Sequence, residues 1–252
     1  GYQNHLVSSP ISNATLNTYY DLYFYAYDEA GTDGSYWDNI YEPLDFPLAV
    51  GQGYNATGSQ YYTGTTTVLF NTGPGGVLNN SDVTFTNFTR NSPNTGYVGF
   101  ELVGNPFQSA LEWNGNWPMS NLSGWMLLWD YDTYRGWHTD GTDHNDGTAV
   151  IPASQGFFVR AIDIPASLTI PAAERIHDNQ AFYKNPSEYP HPILRIEASS
   201  SEHADEAVVV FHPEGSDAFD GYYDLSKFSN AEGVPSLYTV TKGHKYGFNV
   251  LS

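Results

Sequence analysis

A mostly antiparallel all-β protein with sandwich-like sheets is what this sequence predicts, and three observations carry the prediction. Apolar and aromatic residues alternate in short runs bounded by Gly, Pro, Asn and Asp. No segment longer than about ten residues holds the 3.6-residue apolar period that a long helix needs. Two phrases also recur in order. His5-Leu6-Val7-Ser8-Ser9-Pro10-Ile11 is echoed by Glu101-Leu102-Val103-Gly104-Asn105-Pro106-Phe107, and Leu48-Ala49-Val50-Gly51-Gln52-Gly53-Tyr54 by Ile151-Pro152-Ala153-Ser154-Gln155-Gly156-Phe157. The expected organisation is therefore two related β units, 1–95 and 96–165, with a C-terminal β segment, 166–252, packed on them.

In chain order, the alternating residues up to 13 run into Ser9-Pro10, and a proline there suits a strand end. Residues 21–28 are rich in aromatics and read as a strand, with 124–130 as the counterpart in the second unit. Residues 29–47 read as a loop carrying Asp33, Trp37, Asp38 and Glu42. Residues 48–56 form the second shared strand, broken by Gly51 and Gly53. The threonine-rich run 61–70 and the period-two run 83–89 are strands separated by a turn at 71–76. Residues 96–104 lead into a tight turn at Gly104-Asn105-Pro106-Phe107, where the asparagine side chain is expected to bond nearby backbone.

Residues 113–124 and 130–147 read as loops, the second long and polar. Residues 151–161 close the second unit, and 167–170 form a strand. Residues 193–198 and 207–211 form a strand pair, and 236–241 with 246–251 a closing hairpin around Lys242-Gly243-His244. Short helical turns fit near 109–113 and 223–228.

Composition excludes several partners. Lys and Arg total 9 against 28 Asp and Glu, for a net charge of −19. Nucleic-acid backbones and anionic membranes need cationic patches, so neither is expected as a partner. No run approaches the roughly 20 apolar residues of a membrane span, so no insertion is expected. There is no cysteine, so stability rests on the core and on any bound metal. No basic, then apolar, leader pattern stands at Gly1.

Four phrases in order resemble those of Bacteroidetes type IX secretion substrates, large secreted and cell-surface proteins that end in a separate sorting domain. Residues 102–113 resemble their "LVGNPYPSAIDW" phrase, and 151–159 their "IPAGQGFFV". Arg175 with Phe182-Tyr183-Lys184 resembles "R…FYK", and 219–227 resemble "FDxxYDAxK". The resemblance covers nearly the whole chain. It implies an extracellular, cell-surface, non-catalytic module with an adhesive or structural role, followed by a sorting domain or its linker.

Asp140, Asp143, Asn145 and Asp146, interleaved with Gly141 and Gly147, place hard oxygen donors on a turn and suit Ca²⁺. A solvated acidic turn accounts for the same residues without metal. Asp28, Glu29, Asp33 and Asp38 form a second candidate cation group, while His138 and His144 lack a recognised ligand spacing. Trp37, Trp117 and Trp137 fall in expected loops and are the candidates for contact with glycan or protein surface ligands, whereas Trp125 and Trp129 belong to a strand core.

No catalytic residue is expected. Ser154 is not in a nucleophile elbow, Glu101, Glu112 and Asp130 have no diagnostic spacing, and Gly73-Pro74-Gly75-Gly76 lacks a lysine. Three functions follow in order of preference: an adhesive or structural surface module, a carbohydrate-binding module of a larger secreted enzyme, and a filament subunit assembled by strand complementation. For the last, residues 246–251 or 1–7 would fill a groove in the next molecule.

Overall fold

A computed structural model gives the fold and describes residues 4–20, 22–31, 35–40, 43–58, 68, 70, 76–93, 96–130, 133–177 and 191–252. Asp33, Glu42, nearly all of the 61–70 strand, most of the 71–76 turn and the 182–184 phrase lie outside these residues. Among the described residues there is no α-helix, only two 3₁₀ turns at Leu16–Tyr19 and Ala172–Glu174. The class is all-β, with several antiparallel sheets.

The first unit contributes β1 (Asn4–Val7), β2 (Tyr23–Tyr27), β3 (Trp37–Asn39), β4 (Tyr54–Thr57) and β5 (Val83–Phe85). The second contributes β6 (Phe100–Gly104), β7 (Ala110–Glu112), β8 (Met119–Ser120), β9 (Trp125–Asp130), β10 (Thr133–His138), β11 (Asp143–His144), β12 (Val150–Ile151) and β13 (Gly156–Arg160). The C-terminal part adds β14 (Ser167–Ile170), β15 (Arg175–Ile176), β16 (Ile193–Ser199), β17 (Ala204–Phe211), β18 (Leu225–Ser226), β19 (Thr239–Thr241) and β20 (His244–Leu251).

One sheet runs β1-β4-β2-β3 and another β6-β13-β9-β10-β11. Their registers match: Val7 faces Tyr54 as Val103 faces Phe157, and Tyr25 faces Asn55 as Leu127 faces Phe158. The two sheets meet through reciprocal bonds. Gln155 Nε2 donates to the Leu6 carbonyl at 2.7 Å, and Gln52 Nε2 to the Leu102 carbonyl at 2.8 Å. The Ser8 N–H donates to Ser154 O at 2.8 Å, and the Gly104 N–H to Gly51 O at 2.7 Å. Gly51 and Ser154 share the left-handed conformation, with φ of 76° and 58°. Glycine is needed where the backbones close: a Cβ on Gly104 would lie 2.3 Å from Ser8 Cβ, and one on Gly53 2.5 Å from the Val103 carbonyl oxygen.

The β6-β13-β9-β10-β11 sheet is the central layer and is buried on both faces. Leu102, Trp125, Leu127 and Phe158 pack with Val208, Val210, Phe248 and Val250 of the C-terminal sheet. Val103, Met126, Leu128, Phe157 and Val159 turn the other way, onto Phe107, Trp113, Trp117, Leu168 and Ile170. Burial on both faces explains why β9 reads as an unbroken apolar run rather than an alternation. Each fully buried aromatic or aliphatic side chain there stabilises the fold by roughly 1.5–3 kcal/mol. The first unit keeps a smaller core of its own around Ile11, Leu16, Phe24, Leu48 and Tyr54.

Several elements differ from expectation. Residues 130–147 are not a long loop, because β10 pairs along β9 and β11 pairs back on β10. Asp143 and Asn145, among the polar residues that made this stretch look like a loop, bond Arg195 of β16 and Asp205 and Glu206 of β17. Residues 110–112 and 225–226 are strands rather than helical turns, since each finds an open edge to pair with. The 246–251 segment is not a free donor strand. Within β20 it lies between β17, to which it is parallel, and the antiparallel β18 and β19, so its hydrogen bonds are spent inside the chain.

Candidate functional site

Where the three parts of the chain meet, aromatic side chains enclose a cleft of about 130 Å³. The first unit supplies Tyr27 at the end of β2, Trp37 facing it across the strand pair, and the adjoining Tyr36. The second supplies Tyr97, Tyr134 of β10 and Phe158 of β13, and the C-terminal part supplies Phe228 and Ser229. Strand pairing fixes the walls. Tyr27 and Trp37 are register partners, with ring centroids 5.4 Å apart at 72°. Phe158, from the central sheet, meets Tyr27 at 5.0 Å and 82°, and Trp37 at 6.3 Å and 74°. Tyr97 lies on Phe228 at 5.3 Å and 20°, and 4.8 Å from Tyr36.

Two carboxylates act electrostatically on one of these rings. Burial raises the Tyr27 phenol pKa, and the neighbouring Glu101 and Glu29 raise it further. The Tyr27 hydroxyl is buried and finds no hydrogen-bond partner among the described residues. Burial also lifts the Tyr134 phenol, with Tyr97 adding to the effect. Glu29 is only 2% exposed, and burial alone would raise its pKa. The N–H groups of Gly99, Asn91 and Ser92 with the Thr89 hydroxyl more than offset this, so its carboxyl sits below its ordinary value. Glu101 goes the other way: burial raises it despite two bonds from Thr89. The lining residues include no lysine or arginine.

The three candidate tryptophans stand in different places. Trp37 lines the cleft. Trp117 is 3% exposed, packed on Trp113 at 4.7 Å, with its indole N–H donating to Glu112 O at 2.8 Å; its ring is core, not contact surface. Its polar neighbours Asn114, Gly115 and Asn116 hid this in the sequence. Trp137 is a half-buried strand residue packed against the core on the other face of the central sheet.

The four expected calcium donors are each engaged or apart. Asp140 accepts from the N–H and hydroxyl of Thr142 at 2.9 and 2.6 Å and lies 2.9 Å from His138 Nδ1. These contacts outweigh burial and hold its pKa at about 2. Asp143 pairs with Arg195 at 2.9 Å, and Arg195 also pairs with Glu206. Asn145 donates to Tyr134 O and Asp205 and accepts from the Glu206 N–H, while Asp146 is exposed. Among the described residues no three acidic or histidine side chains are grouped as a metal ion would need. In the second candidate group, Asp28 accepts from the Ala30 N–H, and Glu29 accepts from three backbone N–H groups and the Thr89 hydroxyl.

Sequence reasoning missed Tyr27, Tyr36, Tyr97, Tyr134 and Phe228. The one available signal was the tyrosine count of 20, which does not say where the rings converge. No protein-family model matches the chain, and no curated protein or solved structure matches it.

Proposed function

We propose that the chain is a non-catalytic, extracellular cell-surface module with an adhesive or structural role, and that it makes contact through the aromatic cleft. One observation carries this reading: three separate parts of the chain converge on a concave, aromatic lining without charged side chains, of the kind that recognition sites use. The resemblance to type IX secretion substrates supports the surface location. The carbohydrate-binding alternative draws on Trp37 alone of its three tryptophans. Labelled protein applied to an array of glycans and matrix proteins tests the contact site. Trp37→Leu is expected to lower the signal at least about tenfold, given the weight of a central aromatic anchor. Tyr20→Ala, at an exposed position outside the cleft, is expected to leave the signal unchanged. Equal signals from the wild type and Trp37→Leu would remove the cleft from the proposal.

The filament reading has one observation in its favour. β16 is the edge of its sheet among the described residues, with Ile193, Leu194 and Ile196 exposed at 37, 49 and 46%. An open apolar edge favours strand addition, and one inserted charge opposes it. On this reading the chain associates as its concentration rises, and Ile196→Lys abolishes the association, as read by light scattering. A chain that stays monomeric ends this reading.

Calcium at Asp140, Asp143, Asn145 and Asp146 is proposed with its own test. Binding would have to draw Asp143 away from Arg195. A ligand that binds only the folded state raises stability as its concentration rises. A melting temperature that rises in millimolar calcium and falls back with chelator is the expected result, and one indifferent to both is the opposing result.

A further inference from the structure

The geometry points to the aromatic cleft as a cage for a quaternary ammonium group of the kind carried by choline and betaine, an inference that rests on the cleft being the contact site. Three features separate this ligand from a neutral sugar. First, the walls meet at steep angles: Tyr27, Trp37 and Phe158 cross pairwise at 72, 82 and 74°. A pyranose stacks on one flat platform, whereas rings packed edge to face stand on several sides of a bound group, and a ring face turned to a cation stabilises it. Tyr36, within 27° of the Tyr27 plane, and Tyr97, beyond it, extend the enclosure.

Second, the charge is complementary. The lining includes no cationic side chain, Glu101 and Glu29 act electrostatically on the Tyr27 phenol, and the chain as a whole carries −19. A cation is drawn toward such a site and an anion is not.

Third, no carboxylate belongs to the lining. A primary ammonium brings three N–H donors that each need an acceptor, and the side chains of the lining offer them only tyrosine and serine hydroxyls. A quaternary ammonium brings none, and presents methyl groups to the rings instead.

Isothermal titration calorimetry of the folded chain at low salt tests the cage, with choline as the probe. Choline is expected to bind. The uncharged isostere 3,3-dimethylbutan-1-ol and the primary amine ethanolamine are expected to bind at least about tenfold more weakly. Trp37→Phe should weaken choline moderately and Trp37→Leu by about tenfold or more, following the strength of the ring face, with thermal melts confirming that both variants fold. Phosphatidylcholine vesicles separate the sources. Retention on vesicles that free choline releases assigns a lipid headgroup, and choline binding without retention assigns a solute. Either result supports the cage.

The cage is overturned if the isostere binds as tightly as choline, if methyl glucoside binds and choline does not, or if choline fails to bind at any accessible concentration. The two readings fail separately. An array signal that depends on Trp37 in a protein blind to choline keeps the contact site and removes the cage. Silence of Trp37→Leu in both experiments removes both.

Discussion

Replacing Lys227 with methionine is expected to cost the fold about 3–5 kcal/mol and lower the melting temperature by on the order of 10 °C. Lys227 Nζ lies 2.5 and 2.6 Å from the two oxygens of Asp205, and the two side chains are 5 and 0% exposed. Methionine keeps the stem and its packing but leaves a buried carboxylate without its counter-charge. The Leu237 N–H at 2.6 Å and Asn145 Nδ2 at 3.1 Å still reach Asp205, yet neither carries a charge. The cluster ties β17 of the C-terminal sheet to the 143–147 turn and to the chain that follows Phe228. Its loss should therefore loosen the cleft as well as the fold. The double variant Lys227→Met with Asp205→Asn is expected to be more stable than Lys227→Met alone, because removing the stranded charge outweighs the bonds it weakens. Chemical denaturation of the three proteins checks this. A double variant less stable than the single would show that the pair acts through its geometry and not its charge.

Much of this architecture was legible in the residues. The short apolar runs 193–198 and 207–211, with a polar connection, mark β16 and β17, and Lys242-Gly243 takes up the two positive φ values of a tight hairpin. The repeated Pro and Gln-Gly phrases mark β1, β4, β6 and β13, because the same close approach is made twice and tolerates few residues. Other features depend on contacts distant in sequence. Asp143 and Asn145 look like solvated turn residues until Arg195, Asp205 and Glu206 arrive from β16 and β17 to bond them. Phrases around Gly104 and Lys227 could be read as phrases, but the Lys227–Asp205 pairing could not. The cleft was the least legible feature. Its lining runs from residue 27 to residue 229, so no local pattern contains it, and a tyrosine that lines a cage has the same neighbours as one on a sheet surface.

Glu29 makes the second large prediction, and it joins stability to the cleft. Its two carboxylate oxygens accept four bonds: Oε1 from the N–H groups of Gly99 at 2.8 Å and Ser92 at 2.9 Å, Oε2 from the Asn91 N–H at 2.7 Å and the Thr89 hydroxyl at 3.0 Å. A first-unit side chain thus fixes the backbone at Asn91, Ser92 and Gly99, and Gly99 stands two residues beyond Tyr97 of the cleft. Glu29→Ala would orphan the buried Gly99 donor together with the more exposed donors of Asn91 and Ser92, which water can reach, and about 2–3 kcal/mol of stability should go with them. Glu29→Gln keeps the shape but turns an N–H₂ group toward two donors, so roughly half that loss is expected. The carboxyl is held below its ordinary pKa, which sets the sign of the pH dependence. Its contribution is fully present above the unfolded carboxylate value and is lost as the pH falls through the lower folded value. The wild type should therefore lose stability in acid more steeply than Glu29→Gln, whose amide does not titrate, and the two curves should converge at low pH. Denaturation midpoints between neutral pH and strong acid measure this, and parallel curves would remove Glu29 as the cause. Because Tyr97 and Tyr27 both lie close to Glu29 along the chain or in space, ligand affinity at the cleft should fall in Glu29→Gln even where the protein is fully folded. An unchanged affinity would mean that the cleft walls are held by ring packing alone.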